Sequence, residues 1–346
     1  MMRISTMLDY AGDVRATAAR AVELEQAGVD LVWVAEAYGF DAVSLLGYLA
    51  ATTERIGLGS AILNTFSRTP AALAQTAAGL DALSGGRFTL GLGASGPQVV
   101  EGFHGVPYEK PIARIGEIID ICRMAWRREP LVHDGPVFHL PLPAGEGTGL
   151  GKPLKLINHP VRAEIPIHIA ALGARSVELT AAKADGWIPF MFVPDLASKV
   201  WGEPLEAGLA RRSPDLPPLD VVAGGLVAIG PHAEAAKARE KMRPNLALYI
   251  GGMGAKGKNF YNDVCRAYGY EREAEEIQDL YLSGKKDEAA ALVPAEMLEL
   301  GSLCGDEAFV ADRLAAYRAA GVTTLNVTPV GPDPAGTLRT LRELVG

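Results

Sequence analysis

The residues most often responsible for chemistry are sparse in this sequence. It has no HxH or HExxH spacing for a metal and no GxSxG turn for a serine nucleophile. Its three cysteines, Cys122, Cys265 and Cys304, lie far apart without a CxxC pair, so neither a disulfide framework nor a zinc cage is expected, and no metal site is assigned. Four short segments stand out instead. Glu36-Ala37-Tyr38-Gly39-Phe40 joins a carboxylate to a phenol, and Ser60-Ala61-Ile62-Leu63-Asn64-Thr65 mixes small and polar residues. Gly91-Leu92-Gly93-Ala94-Ser95-Gly96-Pro97-Gln98 is glycine-rich, and Ala170-Ala171-Leu172-Gly173-Ala174-Arg175-Ser176 combines a glycine, a guanidinium and a hydroxyl.

Each segment follows a predicted strand. Apolar runs at 4–8, 30–34, 56–62, 88–92, 165–172, 187–192, 220–229 and 323–327 read as strands. Helices are predicted between them, including 13–27, a helix capped by Asp41, one capped by Thr69 with Pro70 at its first position, one opening at Pro111, 176–184, 233–247, 271–282 and 287–300, and one capped by Asp306. The phrase Gln26-Ala27-Gly28-Val29-Asp30 returns as Ala319-Ala320-Gly321-Val322-Thr323, and more weakly as Lys183-Ala184-Asp185-Gly186-Trp187. A helix that stops at glycine and gives way at once to a strand is the short turn of a repeated β/α unit. Eight units take about 250 residues, which leaves room for insertions at about 130–164 and 250–303. The fold class read from this order is α/β, a (β/α)8 barrel occupying the whole chain; a doubly wound open sheet is the competing architecture, disfavoured because no GxGxxG opens the first turn.

In such a barrel the four segments meet at the C-terminal mouth. Glycines 93 and 96 let a ring or chain approach the backbone closely. Residues 173–176 stand at a helix start, where free N–H groups, Ser176 and Arg175 can meet a phosphate. With no lysine ending an inner strand, the mouth suits a large planar cofactor that brings its own reactivity. Glu36 is the one carboxylate expected inside it and the first candidate for a proton donor or acceptor, the alternative being a pair with Arg68. Tyr38 and His104 are further candidates, and His168, inside a strand, is expected to be a core residue.

Of 346 residues, 49% are hydrophobic and 21% charged, which excludes a disordered chain. The net charge of -8, from 33 basic and 41 acidic residues without a basic block, argues against binding nucleic acid or an anionic membrane. No apolar stretch reaches the roughly 18 residues of a membrane span, and the first residues are too polar for a signal core. The cytoplasm is the expected compartment and a small molecule the expected partner.

Three blocks then carry a resemblance: Leu58-Gly59-Ser60-Ala61-Ile62-Leu63-Asn64-Thr65-Phe66-Ser67-Arg68-Thr69-Pro70, then Ser84-Gly85-Gly86-Arg87-Phe88-Thr89-Leu90-Gly91-Leu92-Gly93, then Ile167-His168-Ile169-Ala170-Ala171-Leu172-Gly173 with Ala184-Asp185-Gly186. Through them the chain resembles the bacterial-luciferase-like family of flavin and deazaflavin oxidoreductases, and within it the coenzyme F420 branch that includes methylenetetrahydromethanopterin reductase. Gly251-Gly252-Met253-Gly254 with Asn259-Phe260-Tyr261-Asn262 looks like one subgroup of F420-linked members. The resemblance implies hydride transfer between F420 and a small organic substrate, with the ring at the mouth and a homodimeric assembly. It implies a cis peptide bond at Ala61-Ile62 backing the ring, flanked by Ser60 and Asn64. Gly93, Ala94, Ser95 and Gly96 would lie beside the cofactor, and Ala171, Gly173, Ala174, Arg175 and Ser176 at its phosphate end. F420-linked glucose-6-phosphate dehydrogenases are similar too, but carry an Asp-His pair and a Glu where this chain has Glu36-Ala37 and Ser95-Gly96, so sugar-phosphate dehydrogenation is not expected. The alternatives are a monooxygenase using reduced FMN and O2, and a non-catalytic flavin-binding barrel. A sugar-phosphate lyase would require a lysine or metal that the mouth lacks.

Overall fold

The computed structural model describes residues 2–346. Eight strands, β1 (Arg3–Met7), β2 (Leu31–Val34), β3 (Gly57–Ser60), β4 (Phe88–Gly93), β5 (Ile167–Ala170), β6 (Gly186–Ile188), β7 (Asp220–Ala223) and β8 (Thr324–Asn326), pair in sequence order, all parallel. β8 returns to β1 and β3 joins β4, which closes the barrel. The strands are short and apolar because both faces are covered; all four residues of β2 are buried. Outside run α1 (Val14–Gln26), α2 (Ala42–Thr52), α3 (Pro70–Leu83), α4 (Pro111–Trp126), α5 (Ala174–Lys183), α6 (Ala197–Leu209), α7 (Glu307–Ala319) and α8 (Pro334–Val345). Side-chain oxygens of Asp13, Asp41, Thr69, Asp306 and Asp333 accept from first-turn amides of α1, α2, α3, α7 and α8.

The repeated αβ turn takes its predicted form at Gly28 and Gly321, with φ of 82° and 86°. In the third copy the glycine has another task. A Cβ on Gly186 would lie 2.1 Å from the His168 ring, and one on Gly59 would lie 2.3 Å from the Trp33 ring. These two glycines clear the barrel interior for its largest inward rings.

Several elements differ from expectation for physical reasons. The run 220–229 is two strands, β7 and Leu226–Ile229, broken at Gly224-Gly225. There a Cβ on Gly224 would lie 2.2 Å from the Asn326 carbonyl oxygen. Leu226–Ile229 leaves the barrel and pairs with Leu303–Gly305 and Thr328–Pro329 in a small parallel sheet. The run 233–247 is divided into α-helical and 3-10 turns, with Pro244 opening the last α-helical piece, and 287–300 is divided at Pro294. Strand β6 stops at Ile188, before Pro189, and Met191 takes a left-handed φ of 58°. α6 and α8 went unassigned in the sequence, although Asp333 with Pro334 is a capping signal.

The first insertion lies between α4 and β5 as expected. Its hairpin, His133–Asp134 with His139–Leu140, is tied to the buried carboxylate of Glu117, which accepts from the Val137 and Phe138 amides at 3.1 and 2.9 Å and meets His133 Nε2 at 2.9 Å. The second begins earlier than residue 250, running from Gly224 to Asp306. No helix is long and apolar enough to cross a membrane among the described residues.

At the N-terminal end the barrel is closed by a polar network. Asp220 accepts from His168 Nε2 at 2.8 Å and Thr324 Oγ1 at 2.8 Å, and pairs with Arg3. Burial alone would raise the Asp220 carboxyl, but the His168 hydrogen bond and the neighbouring His168 and Arg3 groups outweigh it and hold its pKa at about 2. His168 is therefore a satisfied interior residue on its Nε2 side, as the sequence suggested.

Candidate functional site

The C-terminal mouth is assembled by the ends of β2 to β6 and by the second insertion. At β3, the Ala61–Ile62 peptide bond is cis. The Ile62 side chain lies over Gly93, whose Cβ would meet Ile62 Cγ1 at 2.9 Å and Ala170 Cβ at 3.6 Å. Gly93 thus makes room for the Ile62 side chain among β3, β4 and β5. Two polar atoms beside it, Asn64 Nδ2 and Thr65 Oγ1, are buried without a hydrogen-bond partner. Ser60 is engaged between strands: its hydroxyl donates to the Gly91 carbonyl at 2.8 Å and accepts from the Gly91 amide at 2.9 Å, which joins β3 to β4 and spends its one donor.

After β4, Ala94 is half-buried while Ser95 and Gly96 are exposed. Ser95 is held at a φ of 57°, a conformation that costs a non-glycine residue on the order of 1 kcal/mol or more. The Tyr108 hydroxyl, donating to the Ser95 carbonyl at 3.2 Å, supports it. Tyr108 in turn stacks on Phe66 at 5.1 Å, and Arg114 lies 4.4 Å over the same ring. Neither Tyr108 nor Arg114 was legible as part of the site, since their stacking partner lies in another β/α unit.

The segment after β5 is anchored by two tryptophans, with Trp187 Nε1 donating to the Ala171 carbonyl and Trp201 Nε1 to the Leu172 carbonyl, both at 2.9 Å. They fix Gly173 at the N-terminus of α5. Unlike α1, α2 and α3, α5 receives no side-chain cap. Ala174 and Arg175 are exposed and Ser176 half-buried, and the carboxylate nearest in sequence, Glu178, is turned to Arg211 at 2.6 Å. Uncapped amides, a guanidinium and a hydroxyl therefore face solvent together, a ready anion site. Gly173 also admits a neighbour: its Cβ would lie 3.5 Å from the Phe260 ring of the second insertion.

Glu36 is placed otherwise than a free proton donor requires. Its two carboxylate oxygens accept from Arg68 Nη1 at 2.6 Å and Nη2 at 2.8 Å, and one also accepts the Ala42 amide of α2 at 3.0 Å. That fork-to-fork pair, with both side chains largely buried, fixes the β2 loop to the start of α3. It raises the Arg68 guanidinium pKa through the Glu36 hydrogen bond. This is the alternative that the sequence left open beside a proton donor or acceptor, a pair with Arg68. Tyr38 and His104 come together at the rim through Phe103, Tyr38 ring to Phe103 at 6.3 Å and Phe103 to His104 at 5.2 Å.

The second insertion completes the wall. Tyr249 packs on Phe190, just past β6, at 4.2 Å, and Tyr261 closes on both rings at 4.7 and 5.7 Å. The Gly-rich and Asn-rich phrases at 251–254 and 259–262 signalled something in this segment, but not that it returns to the mouth.

The luciferase-like monooxygenase family profile matches residues 1–324. The chain is 44% identical over 326 residues to a Mycobacterium tuberculosis protein provisionally named a coenzyme F420-dependent oxidoreductase, covering 92% of this chain and 90% of that one. It is 29% identical over 317 residues to the 5,10-methylenetetrahydromethanopterin reductase of Archaeoglobus fulgidus, covering 89% and 88%. In three dimensions it is similar to the coenzyme F420-dependent tetrahydromethanopterin reductase of Methanopyrus kandleri, with a TM-score of 0.80 at 22% identity over 99% and 98% of the two chains.

Proposed function

This chain belongs to the luciferase-like monooxygenase family, and from that membership we propose that it is a coenzyme F420-dependent oxidoreductase moving a hydride between the deazaflavin ring and a small organic substrate. The observation that carries the reading is the 44% identity, over nine-tenths of both chains, to a relative named for that activity. The site fits such a cofactor. Gly93 leaves room for Ile62 to lie flat against β4, and the buried Asn64 Nδ2 and Thr65 Oγ1 atoms beside it lack partners that a bound group could supply. The uncapped start of α5 offers what a phosphate requires.

On this reading Ala61, Ile62 and Gly93 back the ring, Ala94, Ser95 and Gly96 flank it, and Gly173, Ala174, Arg175 and Ser176 hold the phosphate. When bound, the deazaflavin supplies a carbon that gives or takes hydride, chemistry that the side chains of the mouth lack. The protein's part is to orient and to exclude water. The Arg68–Glu36 pair keeps the β2 loop in register with α3, and the Phe190–Tyr249–Tyr261 cluster walls the opposite side.

Titration of the protein with F420 and with FMN, followed by cofactor fluorescence, tests this. Saturable quenching of F420, with FMN much weaker, is expected. Tight FMN binding without F420 binding would favour the oxygen-using branch of the family.

A further inference from the structure

The phrases Gly251-Gly252-Met253-Gly254 and Asn259-Phe260-Tyr261-Asn262 form one structural unit. Asn259 caps the helix Phe260–Ala267, its Oδ1 accepting from the Tyr261 amide at 3.0 Å and the Asn262 amide at 3.3 Å. Its Nδ2 faces the other way and donates to the carbonyls of Tyr249 at 2.9 Å and Ile250 at 3.0 Å. These carbonyls lie in a π-turn, Leu248–Gly252, a distortion that recurs at functional sites. Asn262 Nδ2 adds bonds to Ile250 at 3.1 Å and Ala274 at 2.7 Å. Gly251 and Gly252 make room for Tyr281, whose ring or Cβ a side chain at either position would meet at 2.4–2.5 Å. Two asparagines and two glycines thus fix the backbone that carries Tyr249, Phe260 and Tyr261 to the mouth.

What this unit presents has a definite chemistry. Tyr249 lies close enough to Tyr10, in the loop after β1, for that hydroxyl to add to the effect of burial in raising the Tyr249 pKa. Burial, with Tyr249 alongside, pushes the Tyr261 hydroxyl up to about 12, and burial raises Tyr249 as well, so both remain hydrogen-bond donors at neutral pH. Among the described residues no hydrogen bond engages the Tyr249 hydroxyl; the residue is held through its ring and its carbonyl. Across the mouth the rim is aromatic and open, with Tyr38 70%, Phe40 72% and Phe103 62% exposed. Of the arginines beside the rim, Arg68 is paired with Glu36, while Arg114 lies over the faces of Phe66 and Phe138 with its Nε buried and without a hydrogen-bond partner. The exposed rings of the rim and the neutral Tyr249 hydroxyl therefore favour flat apolar surface that bears a hydrogen-bond acceptor.

We propose, resting on the F420 reading, that the mouth takes a neutral, planar, conjugated substrate bearing a carbonyl oxygen, with the Tyr249 hydroxyl donating to that oxygen and the rim rings covering the plane. Tyr249 is then a specificity-determining residue of the reaction.

The test uses the F420-loaded protein, with the cofactor oxidised so that no turnover intervenes. Calorimetry compares 2-acetylnaphthalene with 2-ethylnaphthalene, which has the same shape without the oxygen, and with pyruvate, a small anion. The ketone should bind three- to tenfold more tightly than the hydrocarbon, as one hydrogen bond contributes, and pyruvate should bind least. Tyr249→Phe should abolish the preference while F420 affinity stays unchanged, and Phe103→Ala should weaken both naphthalenes alike. Equal binding of the two naphthalenes, a preference that survives Tyr249→Phe, or tighter binding of pyruvate would overturn the inference while leaving the cofactor reading intact. Failure of the wild-type protein to bind F420 would overturn the cofactor reading and this inference with it.

Discussion

The two ends of the barrel treat polar groups in opposite ways. At the N-terminal floor, Asp220 gathers His168, Thr324 and Arg3 around one carboxylate, and four strands are tied together by it. At the C-terminal mouth, α5 starts without a side-chain cap, Asn64 and Thr65 keep buried polar atoms without partners, and Ser95 holds a strained φ. The floor spends its polar residues on closure, the unpartnered His168 Nδ1 excepted, and the mouth leaves amides and rings uncommitted, the arrangement expected when stability and ligand binding are assigned to opposite ends of one barrel. The Glu36–Arg68 pair is the exception at the mouth, a floor-like device set beside the site.

Breaking the floor should produce the largest effect. Asp220→Ala leaves His168 and Arg3 without their carboxylate and should lower unfolding free energy by about 3 kcal/mol in denaturant titrations. Affinity for F420, measured where the variant is still folded, should change little. A loss of binding without a loss of stability would erase the distinction between the two ends.

Acid probes the same carboxylate without mutation. Its pKa is about 2 in the folded protein against 3.8 for the unperturbed group. A depressed folded pKa gives stability that is fully present above the unfolded value and is lost as pH falls from about 4 toward 2. The loss should approach about 2 kcal/mol, at about 1.4 kcal/mol per unit, and Asp220→Ala should lack this component in pH-dependent melts.

At the mouth, Arg175→Ala should weaken F420 binding by about tenfold or more, since a charge-assisted hydrogen bond contributes roughly 1.5–3 kcal/mol. Its melting temperature should stay at the wild-type value, because Arg175 is exposed and α5 is stabilised by its buried face. Unchanged affinity would move the phosphate elsewhere.

The smallest effect sharpens the exception. Glu36→Gln keeps an acceptor for Arg68 and for the Ala42 amide but removes the charge, so stability should fall by about 1 kcal/mol. The pH profile of turnover should be unaltered, as befits a positioning residue. A profile that loses a limb would return Glu36 to proton transfer.

Much of the barrel was legible because each β/α unit states itself locally. Asp13, Asp41, Thr69 and Asp306 announce helix starts, and Gly28 and Gly321 announce the turns back. The start of α5 at 173–176, proposed to hold the phosphate, was legible for the same reason, being one helix start. What escaped depends on contacts remote in sequence. The engagement of Ser60 escaped because its partner Gly91 is on the next strand, and the choice between a proton-transferring Glu36 and one paired with Arg68 stayed open because only the folded loop presents both nitrogens of Arg68. The break at Gly224-Gly225 arises from the nearby Asn326 backbone, which no local pattern reveals. Tyr249 was missed because a π-turn in an insertion brings it back over the barrel.

The most direct test is amide hydrogen exchange with and without saturating F420. Slowed exchange is expected only at the mouth, at residues 62–65, 93–96 and 173–176, with β1, β7 and β8 at the floor unchanged. Protection that falls at the floor, or that omits 173–176, would contradict the placement of the cofactor and the division of labour between the two ends.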